Sequence, residues 1–251
     1  MNKSERLKFI SEEVNKYGSI RIADTAQKLN VTRETIRHDI AELDKKGVIQ
    51  SIRGGAVNPY GLENTRFGQR QTLHLAEKQE IAKKALQFIR NNDHIFLDSG
   101  TTSWQLAEAI KHSKIERLTV VTNSTFVIAT LQFVKGIQLI LLGGTVRTSE
   151  GSVSGAMALQ NIENIYVDTA FFGSSGINKL SGITNPYMDE IEASKKMRQH
   201  SQINIVLADK FKFQRSSLYK MFDLKDVDAI ITDKSINKTI IKELCINNIL
   251  Y

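Results

Sequence analysis

The residues best suited to chemistry lie on a helix that the sequence predicts just after Asn30-Val31. Three apolar residues recur there at helical spacing and form one stripe: Ile36, Ile40 and Leu43. Thr32 stands where a helix N-cap is expected. At about 100° per residue, polar side chains project away from the stripe, with Thr35 on the flank: Glu34, Arg37 and His38.

Such a helix fits the major groove of DNA. There an arginine such as Arg37 bonds guanine O6 and N7, and Thr or His reaches bases or phosphates. The alternative is a small helical domain whose charged face is only solvated, since amphipathic helices are common. The helix pattern alone leaves both interpretations open.

The elements around this helix favour a DNA-binding fold. Helices are predicted over residues 4–16, 22–29 and 32–46, with Asn30-Val31 as the turn of a helix-turn-helix at about 20–39. Residues 48–57 follow as two short strands around Arg53-Gly54-Gly55. This hairpin is placed like a wing, with Arg53 at its tip. We therefore expect a domain over residues 1–57.

A second group of chemistry-bearing residues follows predicted strands further along the chain. After residues 94–97 comes Asp98-Ser99-Gly100-Thr101-Thr102, a small-residue loop that feeds a helix. A helix N-terminus offers free backbone N–H groups, which suit a phosphate. Taken alone, such a loop is also an ordinary turn and N-cap. Small or polar residues end several other strands too: Asn123, Gly144 with Arg147, Gly173, and Asp209 with Lys212.

The strands that position these loops alternate with helical stretches. They are predicted over residues 94–97, 118–122, 137–142, 167–172, 203–208 and 229–232. Short buried strands alternating with helices indicate an α/β fold with a mainly parallel sheet, which binds ligands at the carboxyl ends of its strands. Residues 58–73 contain Pro59, Gly61 and Gly68 without a clear period, so they are predicted to be a linker. The second domain is expected over residues 74–251.

Composition limits the remaining classes. The chain has 251 residues, 41% hydrophobic and 24% charged, with a net charge of +7 that permits an anionic partner. No apolar run approaches the ~18 residues of a membrane span, and the first residues do not resemble a signal peptide. We expect a cytoplasmic protein without membrane association. The scattered histidines and the single Cys245 predict no metal, and no cofactor motif is found.

The stretch TRETIRHDIAELDKKGVIQSIRGGA closely resembles the winged helix-turn-helix of the DeoR family of bacterial transcription regulators. The matching residues are Thr32, Thr35, Ile36, Arg37, Asp39, Arg53, Gly54, Gly55 and Ala56. His38 departs from the family pattern, which usually has a second arginine there. The resemblance implies that operator DNA is contacted by Thr32, Arg33, Glu34, Thr35, Arg37, His38 and Arg53.

The later motifs resemble, in order, the effector domain of the same family: DSGTT, TNS, GGxxR, GxxGI, GIT followed by EAxxK, and LADxxKF. That domain is similar in fold to sugar-phosphate isomerases such as ribose-5-phosphate isomerase. The resemblance implies a phosphorylated-sugar effector with its phosphate on Ser99, Gly100, Thr101 and Thr102. It implies hydroxyl contacts from Asp98, Asp209 and Glu192, positive charge from Arg147, Lys195 and Lys212, and further contacts from Asn123, Gly144 and Gly173. Phe211 replaces the usual serine, which bears on ligand preference.

Two hypotheses follow. The first is a non-enzymatic repressor of a sugar-metabolism operon, released from double-stranded operator DNA by a phosphorylated sugar and acting as a homodimer or homotetramer. The alternative is an aldose–ketose isomerase that uses Asp98, Glu192 or Asp209 as its base. An isomerase has no need of a winged helix, which favours the repressor.

Overall fold

The computed structural model describes residues 2–17, 19–52, 54–57, 67–244 and 249–250. The chain divides into two compact units, Met1–Thr65 and Arg66–Tyr251. The helices of the first unit are α1 (Lys3–Tyr17), α2 (Ile22–Leu29) and α3 (Arg33–Lys45). Its strands are β1 (Ser19–Arg21), β2 (Gln50–Ile52) and β3 (Gly55–Val57).

The first unit is a three-helix core with a small antiparallel sheet in the order β1-β3-β2. Ile10 of α1 and Ile36 and Ile40 of α3 are fully buried together, so the predicted apolar stripe does seat α3. The predicted β2–β3 hairpin is confirmed, whereas β1 was not predicted because three residues show no period. Gly55 makes room for β1, since a Cβ there would collide with the carbonyl oxygen of Ile20.

The described residues of the second unit form seven α-helices. They are α4 (Phe67–Thr72), α5 (Leu75–Ala85), α6 (Thr101–Lys111), α7 (Thr125–Leu131), α8 (Ala156–Ile162), α9 (Met188–Gln199) and α10 (Lys238–Leu244). The strands are β4 (His94–Leu97), β5 (Leu118–Thr122), β6 (Ile137–Leu141), β7 (Thr145–Arg147), β8 (Ser152–Ser154), β9 (Val167–Gly173), β10 (Gly176–Asn178), β11 (Gly182–Asn185), β12 (Ser201–Leu207), β13 (Tyr219–Phe222), β14 (Ala229–Ile231) and β15 (Ile249–Leu250).

The main sheet of the described chain is parallel throughout, in the order β15-β14-β12-β9-β4-β5-β6. Side chains alternate across it. Ile95 and Leu97 join the core under α5 and α6, while Phe96 joins the core on the other face, with α8 and α9. The predicted α/β class with a mainly parallel sheet is confirmed, and the six predicted strands all form within two residues of their expected bounds.

The order of the strands reverses between β4 and β9. From β4 the chain adds β5 and β6 on one side, and β9, β12, β14 and β15 build the other side. The loops that leave the carboxyl ends of β4 and β9 therefore diverge and open a crevice. In α/β sheets this switch point is where ligands bind.

Part of the predicted linker belongs to the second unit. Residues 58–66 lie outside the described chain, but Phe67 begins α4 and is 1% exposed. Its ring stacks on Phe126 with centroids 3.9 Å apart and meets Trp104 edge-on. The linker prediction is wrong over 67–72 because burial of one aromatic ring outweighs the irregular pattern around Gly68.

Candidate functional site

The exposed face of α3 is the candidate DNA-recognition surface. The helix begins at the predicted cap, where the Thr35 amide donates to Thr32 Oγ1 at 3.1 Å. Thr35 is half-buried, and its hydroxyl lies 2.8 Å from that of Thr32. The side chains that remain exposed are those expected to face DNA: Thr32, Arg33, Glu34, Arg37 and His38.

Glu34 organises the basic side chains of this surface. Arg37 Nη1 donates to Glu34 Oε2 at 2.7 Å, and His38 Nε2 lies 3.8 Å from the other carboxylate oxygen. Both pairs are well exposed, so each contributes little to stability. The pairs keep the Arg37 and His38 side chains on the exposed face of the helix. Breaking the Arg37–Glu34 pair costs little free energy, so Arg37 is available to hydrogen-bond a base instead.

Asp39 serves the scaffold. Its side chain is 2% exposed and accepts hydrogen bonds from Arg6 of α1, one of them from Nη2 at 3.0 Å. This hydrogen bond raises the pKa of Arg6 above its usual value. The pair ties α1 to the back of α3, as expected for a structural aspartate. Arg53, the predicted wing contact, lies outside the described residues.

The candidate effector site is the crevice at the switch point of the main sheet. It contains about 510 Å³ of space between atoms, part of which is open solvent. Of the residues predicted to bind the effector, these line it: Asp98, Ser99, Gly100, Thr101, Thr102, Gly173 and Lys212. The structure thus brings together loops that are far apart in sequence.

The N-terminus of α6 forms one wall of this cavity. Gly100 is its N-cap and offers no side-chain cap, so the backbone N–H groups of the first turn face the crevice. Thr101 and Thr102 are nearly buried, and the Ser103 hydroxyl is buried without a hydrogen-bond partner among the described residues. Unsatisfied donors and the positive end of a helix dipole are features that suit an anion.

Asp98 joins the two loops of the crevice. It is 5% exposed and accepts hydrogen bonds from the amides of Ser99 at 2.8 Å and Gly173 at 3.2 Å. Burial nevertheless raises the pKa of its carboxyl. Asn123 is fully buried behind the cavity wall, and its amide lowers that pKa.

Positive charge gathers around a second buried carboxylate. Asp209 is 1% exposed and caps the short turn that carries Lys212 into the cavity, accepting from the Phe211 amide at 3.0 Å. Its Oδ2 has no hydrogen-bond partner in the described parts of the chain. Lys78 is also buried behind this wall, and burial, with Lys212 next, lowers its pKa to about 7.

Burial likewise lowers the pKa values of Lys212 and Arg215, and Asp209 opposes both shifts. Several cationic groups therefore share one carboxylate. An additional anion in the cavity would relieve their mutual repulsion.

The remaining wall is acidic and comes from α9 and the residues before it. Glu190 lines the cavity and accepts from Ser152 Oγ at 2.6 Å and from Arg147 Nε at 3.3 Å. Burial raises the pKa of Glu190 to about 7. The neighbouring polar side chains of Asn185 and Tyr187 also line the crevice. This wall suits the hydroxyl groups of a ligand.

Six predicted effector residues do not line the cavity: Asn123, Gly144, Arg147, Glu192, Lys195 and Asp209. Arg147 donates to both oxygens of Asp189, at 2.9 and 3.0 Å, and its guanidinium lies 4.0 Å from the Tyr187 ring centroid. It therefore holds the start of α9. Gly144 is exposed at the turn into β7 and has φ +144°. A Cβ at this position would collide with the carbonyl oxygen of Ser154, so the turn requires glycine. Arg147 itself belongs to the β7–β8 hairpin, in which it pairs with Ser152.

The prediction of Glu192 and Lys195 as cavity residues is also wrong. Both are exposed on α9. At about 100° per residue, two positions rotate a side chain by roughly 200°, so Glu192 points away when Glu190 faces the cavity. Asp209, as described above, lies beneath Lys212 and does not line the crevice itself.

Sequence reasoning missed several residues that line the cavity: Arg70, Ser174, Ser175, Asn185, Pro186, Tyr187 and Glu190. The serines lie in the small-residue loop after β9, which the pattern had marked. Glu190 shares a helix with the predicted Glu192, and only the helix phase separates them. Arg70 carried no signal, because it lies in the segment interpreted as a linker.

Two further features of the described residues bear on other chemistry. No helix there is both long and apolar enough to cross a membrane. In the same part of the chain, no cluster of His, Cys, Asp and Glu side chains could hold a metal ion. Cys245 lies outside the described residues.

A winged helix with an exposed basic recognition surface, followed by an α/β unit with a ligand crevice at its switch point, defines a ligand-responsive transcription regulator. Family profiles agree with this class. Residues 6–59 match the DeoR-like helix-turn-helix domain, and residues 73–234 match the DeoR C terminal sensor domain. The chain belongs to the DeoR family of transcription regulators.

Individual relatives support the assignment over nearly the full length. The lactose phosphotransferase system repressor of Staphylococcus epidermidis is 33% identical over 243 residues, covering 94% of each chain. The glycerol-3-phosphate regulon repressor of Escherichia coli K12 is 30% identical over 234 residues, covering 93% of this chain and 92% of the relative. These relatives are repressors, so the regulator hypothesis is confirmed and the isomerase alternative is not supported.

Solved structures are similar at the level of the fold. The tetrameric eIF2B-beta2-delta2 complex from C. thermophilum matches with a TM-score of 0.50 and 12% identity, covering 96% of this chain and 87% of that chain. Ribose 5-phosphate isomerase from Plasmodium falciparum matches with a TM-score of 0.40 and 18% identity, covering 54% and 52%. Neither likeness bears on activity.

Proposed function

We propose that this regulator represses a sugar-metabolism operon and leaves its operator when a phosphorylated sugar fills the crevice between β4 and β9. The observation that carries the proposal is the uncapped N-terminus of α6, with buried Ser and Thr side chains, facing Lys212 across one cavity. Free amides, hydroxyls and a partly buried ammonium together suit a dianionic phosphate.

The phosphate would occupy the first turn of α6. Ser99, Thr101 and Thr102 would donate to its oxygens, and Lys212 with Arg70 would balance its charge. Binding would relieve the repulsion among the buried cations near Asp209, which gives the site a preference for a charged ligand over a neutral sugar.

The sugar would lie against the opposite wall. Glu190 and Asp98 accept hydrogen bonds, while Asn185 and Tyr187 both donate and accept. A site built from such groups discriminates strongly between hydroxyl patterns, since a missing hydroxyl leaves a buried polar group unpaired. The relatives named above serve lactose and glycerol-3-phosphate systems, which is consistent with a ligand of this class.

Operator DNA would receive α3 in its major groove. Arg37 would bond a guanine, Glu34 would accept from a neighbouring cytosine, and Arg33, Thr32, Thr35 and His38 would reach bases or phosphates. The wing residue Arg53 would contact the backbone or the minor groove. The protein would act in the cytoplasm as a homodimer or homotetramer, because a two-fold operator needs two recognition helices.

Fluorescence anisotropy on labelled DNA from upstream of the protein's own operon tests the proposal. Each sugar phosphate would be added beside its unphosphorylated parent: fructose 1-phosphate, fructose 6-phosphate, tagatose 6-phosphate, galactitol 1-phosphate and deoxyribose 5-phosphate. We expect one phosphorylated compound to release the DNA and its parent sugar to have no effect. Release by the parent sugar, or binding no tighter than to random DNA, would contradict the proposal.

A further inference from the structure

Arg70 links the effector cavity to the helix at which the chain enters the second unit. It lines the cavity, yet it belongs to α4, which begins directly after residues 58–66. Those residues join the winged helix to the second unit along the chain. Whatever changes the environment of Arg70 therefore acts on the helix next to this connection.

Four contacts hold α4 in place. The Phe67 ring is buried against Phe126, and the Phe67 amide donates to the Ser149 carbonyl at 3.0 Å. Arg70 Nη2 pairs with Glu150, which lies with Ser149 in the turn between β7 and β8. From α5, Lys78 Nζ donates to the Arg70 carbonyl at 2.5 Å. The only side-chain charge pair among these contacts is Arg70–Glu150.

This pair is poised for competition. Glu150 is 4% exposed and does not line the cavity, and burial raises the pKa of its carboxyl. Arg70 keeps about a quarter of its side chain accessible, and its Nε is buried without a hydrogen-bond partner among the described residues. A phosphate dianion carries more negative charge than a carboxylate and accepts charge-assisted hydrogen bonds of the same kind from a guanidinium, so it can compete with Glu150 for Arg70.

We propose that Arg70 transmits effector binding. Without effector, Arg70 pairs with Glu150 and fixes α4 to the turn between β7 and β8. The effector phosphate draws Arg70 away from Glu150 and weakens that attachment. The inference rests on the proposed phosphorylated-sugar site. The effector then binds the arrangement with the broken pair more tightly, and operator DNA favours the arrangement with the pair intact. Only such differential affinity lets a ligand shift the equilibrium.

Reciprocity fixes the signs of every expected change. Removing the charge of Glu150 favours the loosened arrangement before any ligand arrives. Effector binding should then become tighter, and operator binding without effector should become weaker. Adding effector should therefore lower operator affinity by a smaller factor. A residue with a merely structural role would lower both affinities or neither.

The test compares Glu150→Gln with Glu163→Gln in the full-length protein. Glu163 also forms an ion pair, with Lys196 at 3.0 Å, but it is exposed and does not line the cavity. The probe is whichever sugar phosphate of the set above binds the wild type in calorimetry, and operator affinity is measured by anisotropy with and without it. Glu150→Asp, which keeps the charge on a shorter side chain, provides a second variant should Glu150→Gln fold poorly.

For Glu150→Gln we expect about tenfold tighter effector binding and about tenfold weaker operator binding without effector, within the usual range of coupling. The ratio of operator affinity without effector to operator affinity with effector should fall accordingly. Glu150→Asp should shift the same quantities in the same directions by less, and Glu163→Gln should match the wild type. Unchanged effector affinity and unchanged release in both Glu150 variants would overturn the inference while leaving the proposed function intact. If no sugar phosphate binds the wild type, the proposed function fails and the inference falls with it.

Discussion

Replacement of Arg37 by alanine tests whether α3 reads bases. The change should leave the fold intact, because Arg37 is exposed and α3 is held by its buried face through Ile36, Ile40 and Leu43. The lost pair with Glu34 is a solvent-exposed one, whose contribution to stability is about 0.2–1 kcal/mol at most. Any large effect must therefore appear in DNA binding.

The expected loss follows from one bidentate arginine–guanine contact. Such a contact contributes about 1–3 kcal/mol of discrimination in each half-site. At about 1.4 kcal/mol per factor of ten, operator affinity should fall by roughly 5- to 150-fold for each half-site engaged. Affinity for random DNA should change little, because phosphate contacts dominate that binding.

The assay is anisotropy on operator and random duplexes at several salt concentrations, with Lys45→Ala as the control. Lys45 is the last residue of α3 and is exposed, so its removal takes one positive charge from the same helix. A loss for Arg37→Ala that is equal on operator and random DNA would mean a phosphate contact instead of base recognition. No loss on operator DNA would refute the assignment of α3 as the recognition helix.

Two further predictions concern stability. Folding raises the pKa of Glu190 from 4.5 to about 7 and lowers that of Lys78 from 10.5 to about 7. Without effector, the free energy of unfolding should therefore fall as the pH rises from about 4.5 to 7, because Glu190 holds its proton in the folded chain and not in the unfolded one. It should rise from about pH 7 to 10.5, because Lys78 holds its proton in the unfolded chain and not in the folded one. In thermal melts across this pH range, Glu190→Gln should reduce the loss of stability between pH 4.5 and 7, and Lys78→Met should reduce the gain between pH 7 and 10.5. A pH dependence of stability unchanged in either variant would contradict the assignment of that range to that residue. Asp39→Asn should destabilise the first unit by about 1.5–3 kcal/mol, because it deprives Arg6 of a charged hydrogen-bond partner; a melt unchanged from wild type would show that the pair is dispensable.

The sequence predicts much of this fold because its strong signals are local. The capped, amphipathic α3 and the apolar strands each carry their period within a few residues, and all appear as expected. The loop at 98–102 also lies between a strand and a helix as expected, because small residues, a preceding strand and a following helix stand together in the sequence.

The parts that the sequence did not predict depend on tertiary contacts. Strand β1 is too short to show a period and exists because Gly55 lets it approach β3. Arg70 enters the cavity because Phe67 anchors α4 from a segment that otherwise has the composition of a linker. Glu190 and Glu192 are equivalent by residue type, and only the packing of α9 decides which of them faces the cavity.

The anion site at the N-terminus of α6 is the central element of the proposed function, and a charge placed there tests it most directly. Thr101→Asp puts a carboxylate at the first residue of that helix, a position that helices tolerate well. Thr239→Asp is the matched control, because Thr239 is exposed in the first turn of α10 and does not line the cavity.

The measurement is calorimetric titration of the releasing sugar phosphate into the wild type and both variants. Like charges about 4 Å apart at a partly buried site repel by several kcal/mol. We predict that Thr101→Asp weakens effector binding by about 100-fold or more while operator binding without effector is retained, and that Thr239→Asp matches the wild type. Effector binding by Thr101→Asp with the affinity of the wild type would contradict the account.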